Sequence, residues 1–148
     1  MDKQNLELAK IFLVEDNKGD VRLVEEALKE CKFANKLTIA RDGEEALVML
    51  NRQNQYSQME LPDIILLDLN LPKKDGREVL EEIKKNPELC EIPVIVLTSS
   101  KIEADVHHSY TNHANCYIVK PVDLQSLVTI VNSIKNFWFS IVKLPPAK

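Results

Sequence analysis

A chain of 148 residues, 45% of them hydrophobic, is the size of a single globular domain with enough apolar side chains to fill one core. Charged residues make up 28% and the net charge is −4, so the basic excess needed to neutralise nucleic-acid phosphates is missing and no nucleic-acid partner is expected. Apolar runs such as Ile64 to Leu67 are too short to cross a bilayer, and the N-terminal MDKQNLELAK has no secretory apolar segment. The chain therefore reads as cytoplasmic, with no membrane partner.

In chain order, short apolar runs rich in β-branched residues alternate with stretches of helical periodicity, five of each. This pattern implies an α/β fold with a parallel sheet covered on both faces. The expected strands are Lys10 to Val14, Leu37 to Ala40, Asp63 to Leu67, Val94 to Leu97 and Cys116 to Val119, all but the second expected to be buried. The first helix presents Val21, Val24, Leu28 and Cys31 on one face and Arg22, Glu25, Glu26, Lys29 and Glu30 on the other. A second begins at Arg41-Asp42-Gly43, where Asp42 with Glu45 three residues on forms a capping box, and carries Ala46, Leu47 and Leu50 inward. The stretch Gln53 to Pro62 is polar enough for a surface loop. The third helix follows Asp75-Gly76, buries Val79, Leu80 and Ile83, and must stop before Pro87. A fourth spans about Lys101 to Asn112 with weak periodicity. A fifth opens at the N-cap Asp123 and continues through Leu124, Leu127, Val128, Val131, Ile134, Trp138, Ile141 and Val142, unusually long. Cys31, Cys90 and Cys116 are odd in number and widely spaced, as small hydrophobes are and disulfides or zinc ligands are not.

In open α/β sheets ligands gather at the carboxyl ends of the strands. There the polar residues fall: Glu15-Asp16 after strand one, Asp68 after strand three, Thr98-Ser99-Ser100 after strand four and Lys120-Pro121 after strand five. Three carboxylates about 4 to 6 Å apart repel by roughly 3 to 4 kcal/mol per close pair at an effective dielectric near 20. Either one stays protonated or a hard divalent cation sits among them, and Mg²⁺ suits such a set because it accepts one or two carboxylates plus waters and a phosphate oxygen. Lys120 can pair with Asp68 or with an anion attached to it, and Thr98 can donate to that anion. Taken singly, each motif has a plain reading as a solvated loop pair, a helix cap or a turn. The conjunction of four strand ends argues otherwise. His107, His108 and His113 read as surface or packing residues, and Lys73, Lys74 and Arg77 as a solvated rim.

Glu15-Asp16 in FLVEDN, Asp68 in DIILLDLNLPKKDG, Thr98 in VIVLTSS and Lys120 in CYIVKP together closely resemble the receiver domain of two-component response regulators, over about residues 10 to 135. The resemblance implies a flavodoxin-like, CheY-like (βα)5 sandwich with strand order 2-1-3-4-5. It further implies that Asp68 accepts a phosphoryl group from a sensor histidine kinase. Asp16, Asp68 and the Asn70 backbone carbonyl would hold Mg²⁺, with Glu15 mostly acting through water. Thr98 and Lys120 would bind the phosphoryl oxygens, and Thr98 and Tyr117 would act as the switch. On that reading the protein is a phosphoacceptor signalling protein and not an enzyme, with only slow self-dephosphorylation.

The five-strand unit is complete near Ile134, yet Phe137, Trp138, Phe139, Ile141, Val142 and Leu144 follow. Leaving such side chains in water forfeits about 1.5 to 3 kcal/mol each, so the tail must fold back or meet a second copy, and a two-fold dimer is expected. The domain reading is thus an N-terminal extension at 1–9, a receiver at 10–135 and a dimerising extension at 136–148. With DLNLPKKDGREVL and the closing FW…IVKLP, the chain looks like the single-domain regulators paired with bacterial and cyanobacterial phytochromes. This implies a phytochrome kinase as partner and dimerisation through the fourth and fifth helices plus the tail. The alternatives are an aspartyl-phosphate hydrolase of the haloacid dehalogenase type, whose Asp-x-Asp follows its first strand, a flavodoxin-like carrier, and a receiver retaining only binding.

Overall fold

The computed structural model describes residues 8–98, 116–119 and 123–143. Its strands are β1 (Ala9–Val14), β2 (Asn35–Ala40), β3 (Ile64–Asp68), β4 (Val94–Thr98) and β5 (Cys116–Val119). Its α-helices are α1 (Lys18–Glu30), α2 (Gly43–Leu50), α3 (Gly76–Lys85) and α4 (Leu124–Lys143). The last of these is the fifth helix expected from sequence. The fourth, at 101–112, lies outside the described residues, as do the three histidines and Ser99, Ser100, Lys120 and Pro121.

All four strand pairings are parallel and the order is β2-β1-β3-β4-β5, as anticipated. Alternate residues of each interior strand feed opposite cores, which is why these strands read as unbroken apolar runs. Phe12, Val14, Ile65, Leu67, Val94 and Val96 face α2 and α3 and pack with Ala46, Leu50, Val79, Leu80 and Ile83. Ile11, Leu13, Ile64, Leu66 and Ile95 face α1 and α4 and pack with Val21, Val24, Ala27, Leu28, Leu127 and Val131. β2 starts at Asn35, two residues earlier than expected, because an edge strand needs partners for its backbone more than for its side chains: Ala9 is matched with Asn35 and Lys10 with Lys36.

Local signals account for the helix ends. The Asn17 side chain accepts from the Asp20 amide at 2.9 Å, and Asp42 Oδ1 from Glu45 at 2.8 Å. Glu45 closes its box on the Arg41 amide (2.7 Å), one residue before the cap. The helix α3 is capped by Asp75, whose carboxylate accepts from the Arg77 amide at 2.9 Å, and ends at Lys85, with Asn86 as its C-cap before Pro87. Beyond it, Lys84 Nζ donates to the carbonyls of Cys90 (3.1 Å) and Ile92 (3.0 Å), fixing the approach to β4, and burial holds this ammonium below its usual pKa.

Two further expectations change. The loop from Gln53 to Pro62 is not wholly surface: a 3-10 turn at Asn54–Tyr56 brings Tyr56, Met59 and Leu61 against the core on the α2/α3 side. Its polar composition masked three scattered apolar anchors. And β3 runs one residue later than predicted, because Asp63 is taken up by the neighbouring strand. Its Oδ2 accepts from the Lys10 amide (2.8 Å) while its own amide donates to the Lys10 carbonyl (2.7 Å). Cys31, buried at the end of α1, donates weakly to the Val128 carbonyl at 3.5 Å, and Lys135 Nζ donates to the Cys31 carbonyl at 2.7 Å. These bonds tie α1 to α4, which continues without a break past residue 135 and leaves Phe137 54% exposed. Among the described residues no helix is long and apolar enough to cross a membrane.

Candidate functional site

Register alone brings the polar strand ends together. Val14 is paired with Leu67, so the next residue, Glu15, comes level with Asp68 at the end of β3. Asp68 is paired with Leu97, so Thr98 stands one residue further along on β4. Thr98 is paired with Val119, which precedes Lys120 in the sequence.

At this rim Glu15, Asp16 and Asp68 each place a carboxylate oxygen within 4.8 Å of the others. Glu15 is 1% exposed, Asp68 2% and Thr98 0%, while Asp16 opens to solvent. Two buried carboxylates so close repel by about 3 to 4 kcal/mol even at an effective dielectric near 20. Backbone amides offset part of this. The Asn17 amide donates to Glu15 Oε2 at 3.3 Å and the Asn70 amide to Asp68 Oδ1 at 3.1 Å. The rest calls for a positive charge. A set of hard oxygen donors, buried on one side and open at Asp16, matches a hard divalent cation that keeps part of its water shell.

Asp68 leads straight into a short loop, residues 69–75, whose ends are drawn together by the Gly76 amide donating to the Leu69 carbonyl at 3.1 Å. A side chain at Gly76 would overlap the Asp68 carbonyl oxygen and approach within 2.5 Å of the Leu69 Cα, so α3 can start this close to β3 only on glycine. The sequence marks Asp75-Gly76 only as a helix start, and the tertiary approach that requires the glycine is invisible in it. The cations around the loop are paired within the chain: Lys73 with Asp42 (3.8 Å), Lys74 with Glu82 (2.9 Å) and Arg77 with Asp75 (3.1 Å). The hydrogen bond to Glu82 raises the Lys74 pKa. This is the solvated rim expected from the sequence, and exposed pairs of this kind contribute little.

The structure thus gathers Glu15, Asp16, Asp68 and Thr98, with Asn70 bonded to Asp68 through its amide. Tyr117 lies on β5 paired with Val96, and Lys120 lies outside the described residues.

Comparison with known proteins agrees with this rim. The sequence profile of the response regulator receiver domain matches residues 11–132. Response regulator Rcp1 of Synechocystis sp. is 53% identical over 137 residues, spanning 93% of either chain. Among solved structures, the phosphorylated cyanobacterial phytochrome response regulator RcpA is 52% identical with a TM-score of 0.84, the match covering 94% of this chain and 99% of that one. The Mn²⁺-bound form of Rcp1 is 51% identical with a TM-score of 0.81, covering 93% and 99%. Sheet order, carboxylate rim and sequence likeness converge: the chain belongs to the response regulator receiver family of two-component signalling, and its relatives include phytochrome-associated regulators.

Proposed function

We propose that Asp68 accepts a phosphoryl group from a phosphohistidine of a sensor histidine kinase and that the resulting change of charge switches the protein's conformation. The observation that carries this reading is a carboxylate 2% exposed at a strand end, held within 4.8 Å of two others. An Asp68 oxygen forms a bond to phosphorus as the phosphorus–nitrogen bond breaks, and the departing imidazole keeps the electron pair. A carboxylate nucleophile has no proton to give up as it attacks, so no general base is needed, and catalysis reduces to alignment and charge neutralisation.

Glu15, Asp16, Asp68 and the Asn70 backbone carbonyl are the groups that would hold Mg²⁺. The cation would supply neutralisation of the three carboxylates and of the phosphoryl oxygens. The Asn70 amide orients Asp68 through its bond to Oδ1. Thr98, fully buried beside Asp68, would donate its hydroxyl to a phosphoryl oxygen, and Lys120 would pair with another. Movement of Thr98 toward the phosphoryl group would be read by Tyr117 on the neighbouring strand. The protein acts in this account as a cytoplasmic phosphoacceptor, with slow self-dephosphorylation as its only reaction of its own.

The likeness to RcpA, a cyanobacterial phytochrome response regulator, supports a phytochrome kinase as the partner. The exposed Phe137 on the extended α4 supports a homodimer through the fourth and fifth helical segments and the tail, with 10–135 as the receiver, 1–9 an N-terminal extension and 136–148 the dimerising extension. The test is phosphate incorporation from a histidine kinase or acetyl phosphate in Mg²⁺. Wild type should gain acid-labile phosphate, and Asp68→Asn should lose it by more than about a hundredfold while staying folded. Labelling of the variant at the wild-type rate would refute the assignment.

A further inference from the structure

Residues 69–75 have little slack. The Leu69 carbonyl and Gly76 amide close the segment at its base, and within it the Lys74 amide donates to the Pro72 carbonyl at 2.7 Å, with Lys73 between them at φ 66°. A non-glycine residue in this left-handed region is held there by its surroundings. One of those surroundings comes from far along the chain. Gly43, the buried first residue of α2, lies so close that a Cβ on it would overlap the Lys74 carbonyl oxygen and stand 2.9 Å from the Lys74 carbonyl carbon and 2.8 Å from its Cβ. The preceding residue, Asp42, caps α2 with Oδ1 and pairs with Lys73 through Oδ2 at 3.8 Å. The start of α2 therefore buttresses the far side of the loop whose near side begins at Asp68.

We infer that Gly43 is a positioning residue for the acceptor site. The absence of a side chain at Gly43 lets α2 abut the Lys74 carbonyl, and this contact fixes the 69–75 loop so that Asn70 addresses Asp68. The inference rests on the assignment of Asp68 as phosphoacceptor. Its logic is steric. Two of the obstructing atoms at Lys74, the carbonyl oxygen and carbon, are main chain and the third, Cβ, is placed by the main chain, so a methyl group on Gly43 cannot be accommodated by a side-chain rotation. A loop tied at Leu69 and Gly76 must pass the displacement of Lys74 back through residues 70–73. Asn70, whose amide holds Asp68 Oδ1, is two residues from the acceptor and four from Lys74.

The test compares Gly43→Ala with Leu50→Val, a destabilising change in the buried core of the same helix that leaves the loop untouched. Three quantities are read on the full chain: the dissociation constant for Mn²⁺ alone, and the maximal rate and half-saturating concentration for phosphorylation by acetyl phosphate. Gly43→Ala should weaken Mn²⁺ binding and lower the maximal rate by about tenfold or more, since displacement of reacting groups by an ångström has effects of that size. Leu50→Val, at equal or greater loss of thermal stability, should leave both within about twofold. Adding Lys74→Gly to Gly43→Ala should rescue neither, because the carbonyl remains. Gly43→Ala with wild-type binding and rate, or losses matched by Leu50→Val, would overturn the inference. Should Gly43→Ala not fold, amide resonances of the wild type during a Mg²⁺ titration decide. Shifts at Gly43 and Lys74 tracking that of Asn70 support the buttress, and a Gly43 resonance that stays still while Asn70 moves refutes it. Loss of wild-type labelling at Asp68 would instead refute the proposed function, so the two failures are distinguishable.

Discussion

Asp63 and Asp68 lie five positions apart on either side of one apolar run, and they show what separates a structural carboxylate from a reactive one. Asp63, at the amino end of β3, spends its carboxylate on the Lys10 amide (2.8 Å), and its own amide donates back to the Lys10 carbonyl (2.7 Å). Asp68, at the carboxyl end, accepts from the Asn70 amide (3.1 Å) but shares its surroundings with two further carboxylates within 4.8 Å. The residue type is the same, and a single apolar run separates them. The difference is company: one carboxylate stabilises the register of β1 and β3, and the other sits beside two more carboxylates, concentrating negative charge at one strand end.

That contrast can be sharpened by a divalent cation. Mg²⁺ at a hundred times its dissociation constant should raise wild-type stability by about 2.7 kcal/mol, the linkage value for a ligand bound only by the folded state. Thermal unfolding should show the same increment in Asp63→Ala and most of it gone in Asp68→Asn. An increment that survives Asp68→Asn in full would place the metal elsewhere. Without metal the two ends should respond with opposite sign. Asp63→Ala removes a part-buried acceptor and should lower stability by about 1 to 2 kcal/mol, whereas Asp68→Asn removes a repelling charge and should raise it by about 1 kcal/mol. Denaturant titrations in chelator that gave both variants the same sign would break the comparison.

A third carboxylate supplies a smaller, pH-dependent control. Asp123 caps α4 by accepting from the Ser126 amide at 2.8 Å, and that bond lowers its pKa below the ordinary 3.8. A group with a depressed folded pKa stabilises the fold above its unfolded value, and the contribution is lost as pH falls through the folded one. The stability difference between wild type and Asp123→Asn should therefore be present above pH 3.8 and vanish at lower pH. A difference that grows on acidification would reverse the assigned sign.

Much of this was legible in the sequence, for physical reasons that differ from place to place. Strands buried on both faces must be nearly all apolar, so Glu15, Asp68 and Thr98 stood out as the points where such runs break into polarity. Asp42, Asp75 and Asp123 announced helix starts because unsatisfied amides there need an acceptor. What escaped was tertiary. Asp63 was absorbed into a strand because nothing local says that its partner is Lys10. Tyr56, Met59 and Leu61 were hidden in a polar loop without period. Gly43 and Gly76 are ordinary helix-start residues until the loop packed against them is seen. Ala27, fully buried on α1, carries too weak an apolar signal to stand out among the charges around it.

The most direct measurement is to locate the modified atom. Treating the phosphorylated protein with borohydride reduces an aspartyl phosphate to homoserine, which peptide mass spectrometry assigns to a position. The account predicts homoserine in place of the aspartate at position 68 and nowhere else, in an amount that follows phosphate incorporation. Reduction mapped to position 16 or to any other aspartate, with position 68 unchanged, would contradict it.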